Sequence, residues 1–317
     1  AVLAEMTAEG DSIEKYVHEA EQSAVWLGDE TRHYIFTHGL LRDAAYTMQM
    51  RAHRTELHSH AVTALERIYA EDLQFHYPEL AHHSERADLR EKALHYYALA
   101  GKAASAAYQN AKGVEYFTSA LYLCPPGDQF TRFNLLCDRI ELFNRLVKTD
   151  LQFEDLTSLH EVAHEIGDEK HISKALMLFT HYYFFVGKYR EGIESAQRAF
   201  AMPGHTLEPE VFFLARMVWF LSLLRLGHLE EAMALALETL EFARESGNRR
   251  QLGRVLAQVG LTAFEQGEPA AAGEYFSEAL QIADELNDRN LQTRVFTNLA
   301  LFELGVNSDY AKAQEYH

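Results

Sequence analysis

Cysteine is nearly absent from this chain of 317 residues: only Cys124 and Cys137 occur, too few for a disulfide framework. Both fall in helical text, where a free thiol packs as a small hydrophobe, and a reducing, cytoplasmic setting is expected. Proline is also scarce, six in all and almost none inside segments with helical periodicity, so little interrupts helix formation. Positive charge is outnumbered, 29 Lys and Arg against 47 Asp and Glu, and the formal charge of -18 repels phosphate backbones and anionic headgroups. Direct nucleic-acid binding is not expected. No run approaches the roughly 18 apolar residues of a spanning helix, and no basic stretch followed by an apolar one opens the chain. No GxxxxGK[ST] stretch is present, so this chain has no phosphate-binding loop of that kind. No nucleophile elbow is present either.

What the sequence does have is a ruler. Gly187, Gly227 and Gly267 recur at a constant 40-residue step, and Gly127, Gly167 and Gly247 sit on the same grid taken in half steps of 20. After the first three the text reads GKYREGIESAQRAF, GHLEEAMALALETL and GEPAAAGEYFSEAL, each with a small residue five places on (Gly192, Ala232, Ala272). A turn glycine that ends one helix and admits the next, repeated at fixed distance, predicts a stack of helical hairpins. The first helices are expected over about 130–147, 169–186, 208–226, 249–266 and 289–305. The second helices are expected over about 151–166, 189–202, 229–246 and 269–286, with a truncated one opening at Asp309. Apolar residues such as Ala232, Leu235, Ala236, Leu240 and Ala243 recur at helical spacing, giving each helix one face for its neighbours.

Upstream, ALHYYALAGKAASAAYQNAKGVEYFTSALYLCPP forms another unit, with Gly101 where two helices approach and Phe117, Ala120 and Pro125 in the second helix and its end. This order of small, aromatic and proline positions resembles the tetratricopeptide repeat, although the step here is longer than that family's usual period of roughly 34 residues. The fold it implies is all-α, a right-handed superhelix of helical hairpins. The longer step is similar to the variant arrays of bacterial signalling regulators such as the maltose-operon activator and its relatives. Residues Phe36, His38, Leu41, Arg42, Asp43, Ala44, Tyr46, Arg54, His58 and Glu66, then Leu80, Ala81, His82 and Gly101, resemble the junction found in signal-transduction ATPases with numerous domains and in related adenylate cyclase fusions. There a winged-helix segment passes into the repeats. The resemblance implies residues 1–60 as the end of a winged-helix-like segment and its junction helix. It implies 61–317 as a solenoid of about six hairpins, the last truncated. The chain is accordingly expected to be a piece of a larger protein whose ATPase, cyclase or kinase activity resides elsewhere.

Two histidine groups invite a metal reading. His160, Glu161 and His164 spell HEVAH, the pattern in which two histidines one helical turn apart hold zinc and the glutamate acts as base. Steps along the repeat grid from His160 lead to Phe200, Leu240 and Leu280, which marks it as a packing position, and no third ligand follows nearby. A zinc hydrolase is the weakest of three functional readings. His53, His58 and His60, with His82 and His83, form a second cluster whose spacing does not stack all three of the first set on one face. A packing role at the junction is expected for it.

No enzyme, cofactor or metal is expected. Groove positions carried over from the tetratricopeptide family give Asn134, Glu141, Arg145, His181, Arg225, Arg254 and Glu265 as polar candidates. Met177, Phe184, Leu221, Leu224, Leu261 and Phe264 would add an apolar strip suited to an amphipathic helix or peptide. A shift of the pattern by one residue would instead make that strip inter-repeat core. The leading reading is a non-catalytic regulatory module binding a protein or peptide segment, such as its own ATPase region, with homodimerisation through an uncapped last repeat. A small-ligand sensor is the alternative.

Overall fold

The structure is a computed structural model that describes residues 2, 13–28, 34–202 and 209–304. Among the described residues the chain is all-α apart from one short hairpin. Helix α1 (Ile13–Gln22) leads into β1 (Trp26–Gly28) and β2 (Tyr34–Phe36), which pair antiparallel with Leu27 opposite Ile35. Then come α2 (Gly39–Met48), α3 (Arg51–Ile68), a 3-10 turn at Leu73–Phe75, and α4 (Tyr77–Arg86). The hairpin array proper runs α5 (Arg90–Ala106), α6 (Asn110–Leu123), α7 (Gln129–Arg145), α8 (Thr149–Ile166), α9 (Glu169–Phe185) and α10 (Tyr189–Phe200). It continues through α11 (Pro209–Leu226), α12 (Leu229–Glu245), α13 (Arg249–Glu265), α14 (Pro269–Glu285) and α15 (Arg289–Phe302). These bounds fall within about three residues of those read from periodicity. The helix expected to open at Asp309 lies outside the described residues.

Local chemistry explains the beat. Gly167, Gly187, Gly227, Gly247 and Gly267 all have φ between 67° and 82°, the left-handed conformation that closes a helix. At Gly187 the next two amides turn back on the helix, Gly187 N–H to the Phe184 carbonyl and Lys188 N–H to the Tyr183 carbonyl. The same pair of bonds closes α7 at Val147 and Lys148, and α14 at Asn287 and Asp288. The ruler therefore continues where glycine stops: Val147 (φ 55°) and Asn287 (φ 49°) occupy the same left-handed position on a 20-residue grid. Helix starts are periodic as well. Asp128, Asp168, Asn248 and Asp288, on the 40-residue grid, each accept a backbone N–H from the first turn of α7, α9, α13 and α15. Each such cap contributes about 1 kcal/mol.

The chain divides within α8 into two compact units, Ala1–Val162 and Ala163–His317. In the first, α3 to α7 pack consecutively, and α5 also touches α7. Its core holds Leu80, Phe117, Phe133, Leu142, Leu156 and Leu159, all nearly inaccessible to solvent. Arg139 of α7 reaches α8, with Nε and Nη2 donating to the two carboxylate oxygens of Asp155 at 2.8 and 2.7 Å.

In the second unit α9 to α15 pack consecutively, and the first helices of successive hairpins touch at α9–α11 and α13–α15. Phe220, Ala232, Leu256, Phe276 and Ile282 anchor one continuous core, each large side chain contributing about 1.5–3 kcal/mol by burial. The small residues five places after the turn glycines, Gly192, Ala232 and Ala272, are all buried where helices cross.

Arg216, nearly buried in α11, lies over the rings of Phe200 and Phe212 and bonds Glu238 and Thr239.

Candidate functional site

The repeat grid sorts the first-helix positions by exposure. Arg145, Phe185, Arg225 and Glu265 share one grid position and all four are exposed. Phe185, 63% exposed, is the member that sequence reasoning passed over. Asn134 and Glu141 are exposed, His181 and Arg254 half-buried. The apolar strip behaves differently. Met177 is buried at 4% exposure, and Leu221, Leu224, Leu261 and Phe264 pack against the second unit's core. Phe184 is half-buried, its ring 5.7 Å from that of Tyr189. Leu221, Leu224, Leu261 and Phe264 thus contribute to the core, as the alternative of a pattern shifted by one residue allowed, and Phe184 packs within its own hairpin.

In the first unit a cavity of about 250 Å³ opens between α5 and α7, with Lys102, Ser105, Asp138, Glu141 and Arg145 on its wall. Its charges are satisfied internally. Arg145 pairs with Glu141 one turn back and donates to the Ser105 carbonyl and hydroxyl at 3.2 Å, while Lys102 stands 3.8 Å from Asp138. Arg145 thus joins two successive hairpins.

In the second unit a larger cavity of about 710 Å³ opens between α13 and α15, walled by Arg250, Arg254, Asp288, Asn290, Arg294 and Asn298. Asp288 is committed: it caps α15 and pairs with Arg250 Nε at 2.7 Å. Among the described residues Arg254 finds a thioether, that of Met217 at 3.8 Å; burial and then repulsion from Arg294 lower its pKa, with attraction from Asp288 and repulsion from Arg250 as smaller, opposing effects. Asn298, on the same wall, donates from Nδ2 to the Ala257 carbonyl at 3.3 Å. Burial depresses the pKa of His181, whose ring lies 4.6 Å from that of Phe185, and raises that of Glu265.

Among the described residues no group of three His, Cys, Asp or Glu side chains stands close enough to hold an ion. On α8, Glu161 and His164 are exposed and His160 is half-buried beside Leu159. At the junction, His58 Nδ1 meets His83 Nδ1 at 2.8 Å, and Tyr46 Oη lies 3.0 Å from His58 Nε2. Arg54 covers the Tyr46 ring, and Glu66 accepts hydrogen bonds from Lys92 and Tyr96. Of the junction residues singled out in the sequence, Tyr46, Arg54, His58 and His82 thus lie in one cluster with His83, while Glu66 bonds separately to α5. No helix among the described residues is long and apolar enough to cross a membrane.

No protein-family model matches the chain, and no curated protein matches it in sequence. Solved structures do match. Aspartyl phosphate phosphatase F from Bacillus subtilis is similar at TM-score 0.62 and 13% identity, over 87% of this chain and 76% of that one. A Rap protein in complex with competence and sporulation factor is similar at TM-score 0.56 and 11% identity, over 87% and 78%. The quorum sensor NprR from B. thuringiensis in its apo form is similar at TM-score 0.53 and 10% identity, over 96% and 94%. The chain shares their all-helical repeat fold.

Proposed function

We propose that this chain is a non-catalytic interaction module that binds a protein or peptide segment along the faces of its first-in-hairpin helices. The carrying observation is that each unit opens a cavity between successive first helices, α5 with α7 and α13 with α15, lined by side chains at the groove positions Glu141, Arg145 and Arg254. Both cavities are open to solvent, the form that suits a segment of chain rather than an enclosed metabolite. The likeness to a Rap protein solved with competence and sporulation factor, and to a quorum sensor, supports the same reading. The physiological context is a regulatory arm of a multidomain bacterial signalling protein in the cytoplasm. Its partner there is a segment of the parent's own ATPase region, and differential affinity for two states of that region shifts the switch. The arrangement α1, β-hairpin, α2 ahead of the array supports a winged-helix-like end over residues 1–60, with the hairpin solenoid from 61. Pairing of two copies through the last repeat belongs to the same proposal.

The test is selection of peptides from a random displayed library on the immobilised protein, followed by titration calorimetry of the selected peptides against Arg145→Ala and Arg254→Ala. Saturable binding weakened at least fivefold by one of the substitutions supports the reading. Binding indifferent to both, or no saturable binder, rejects it.

A further inference from the structure

Several arginines of this chain are matched to carboxylates on neighbouring turns or helices. Arg139 pairs with Asp155, Arg145 with Glu141, Arg216 with Glu238, Arg244 with Glu278 and Arg249 with Glu285. The cavity between α13 and α15 instead gathers guanidinium groups on one wall. Three guanidinium groups, Arg250, Arg254 and Arg294, share its wall with the single carboxylate of Asp288, which is already used by Arg250 and by the backbone of α15. Arg254, half-buried, has a thioether for company, and among the described residues no carboxylate pairs with Arg294. A guanidinium held partly out of water beside another positive charge is costly unless an anion completes the site. The first unit's cavity is the internal control, because there Lys102 and Arg145 are neutralised by Asp138 and Glu141.

Shape narrows the anion. Asn290, Arg294 and Asn298 follow one another at intervals of one helical turn along α15, so the polar wall runs for about 12 Å. Arg250 and Arg254 face it from α13, one 40-residue step before Asn290 and Arg294. Amide side chains at both ends offer paired donors and acceptors of the kind a peptide backbone satisfies, with the cations between them.

We propose that this cavity is a subsite for an acidic peptide segment, which places a carboxylate between Arg254 and Arg294 while Asn290 and Asn298 meet the peptide's amides. The proposal rests on the peptide-binding reading and names the chemistry of the partner. It also explains how a chain of net charge -18 receives an acidic ligand: the attraction is local, and at about 0.15 M salt the rest of the surface is screened beyond roughly 8 Å.

The experiment is fluorescence anisotropy on the full chain at that ionic strength, using a labelled octapeptide of alternating glutamate and alanine and its glutamine counterpart. The variants are Arg294→Gln, which is exposed and leaves the core untouched, Arg254→Gln with Arg294→Gln, and Arg249→Gln as a control outside the cavity. Binding of the glutamate peptide at least tenfold tighter than its counterpart is expected, with that preference lost in both cavity variants and kept in the control. Equal binding of the two peptides, unchanged by the cavity variants, overturns the acidic subsite and leaves peptide binding standing. If neither peptide binds but pyrophosphate raises the melting temperature in an Arg294-dependent way, the site takes a free polyanion, and the acidic-peptide proposal and the peptide-binding reading fall together. Absence of both effects overturns the subsite.

Discussion

His58 and His83 face one another through their Nδ1 atoms at 2.8 Å, so one ring must donate and the other accept. A second proton on the pair sets two N–H groups head to head. Burial, then the neighbouring His83 and His82, then Arg86 and Arg54, push the pKa of His58 down to about 4, and burial with His82 lowers that of His83. Because the folded pKa of His58 lies below the unfolded value near 6.5, the unfolded chain binds more protons between about pH 6.5 and 4. Stability from this cluster is therefore complete above pH 6.5 and is lost as pH falls toward 4. Urea midpoints at pH 7 and pH 5 should show the loss, and His58→Gln with His83→Gln should shrink the difference.

Two pairs far apart in the chain repeat one geometry. A methyl group on Gly101 would fall 2.7 Å from the Phe117 ring, and one on Gly260 would fall 2.7 Å from the Phe276 ring, each phenylalanine lying in the following helix and fully buried. Gly101→Ala and Gly260→Ala should each cost about 1–3 kcal/mol by overpacking. Shortening the opposing ring with Phe117→Leu or Phe276→Leu should recover part of that cost. A double-mutant cycle on chemical denaturation reads the coupling, and simple additivity would refute the contact.

The Arg139–Asp155 pair ties α7 to α8 with both partners largely out of water. Asp155→Ala strands the guanidinium and should destabilise by about 3–5 kcal/mol in urea. The exposed pair Arg244–Glu278 offers the contrast, since Glu278→Ala should change stability by less than about 1 kcal/mol.

At the left-handed turns, the side chain decides the sign. Gly227→Ala should cost about 1–2 kcal/mol, although nothing lies within 4 Å of the added methyl. Val147, a β-branched residue at φ 55° and 77% exposed, is the reverse case, and Val147→Gly should raise stability by roughly 0.5–1 kcal/mol. Thermal unfolding of the two variants should move in opposite directions.

The helices are readable because glycine is favoured where φ turns positive, and the interval between such glycines leaves room only for two packed helices. Val147 escapes that reading because its backbone is set by the helix that ends there and not by its own preference, whereas Asn287 is the residue that most readily stands in for glycine at such an end. The aspartate and asparagine caps at 128, 168, 248 and 288 are a signal of equal regularity that the glycine spacing leaves unused. Met177 misleads because an apolar residue at helical spacing serves a groove or a core equally well, and only burial separates them. The columns of the repeat hold more than the turn positions. One 40-residue step from Arg254 leads directly to Arg294, the other half of the cationic wall.

Because turns, caps and small crossing residues all recur at the same interval, one whole repeat can leave the chain without disturbing the grammar of what remains. Joining Gly187 to His228 would bring one left-handed glycine to the residue that follows another, and would seat α12 where α10 had been. An insertion or deletion of any other length would have to invent a new ending for a helix. The array's length is thereby adjustable in whole steps only, and the exposed columns of its first helices lengthen or shorten with it.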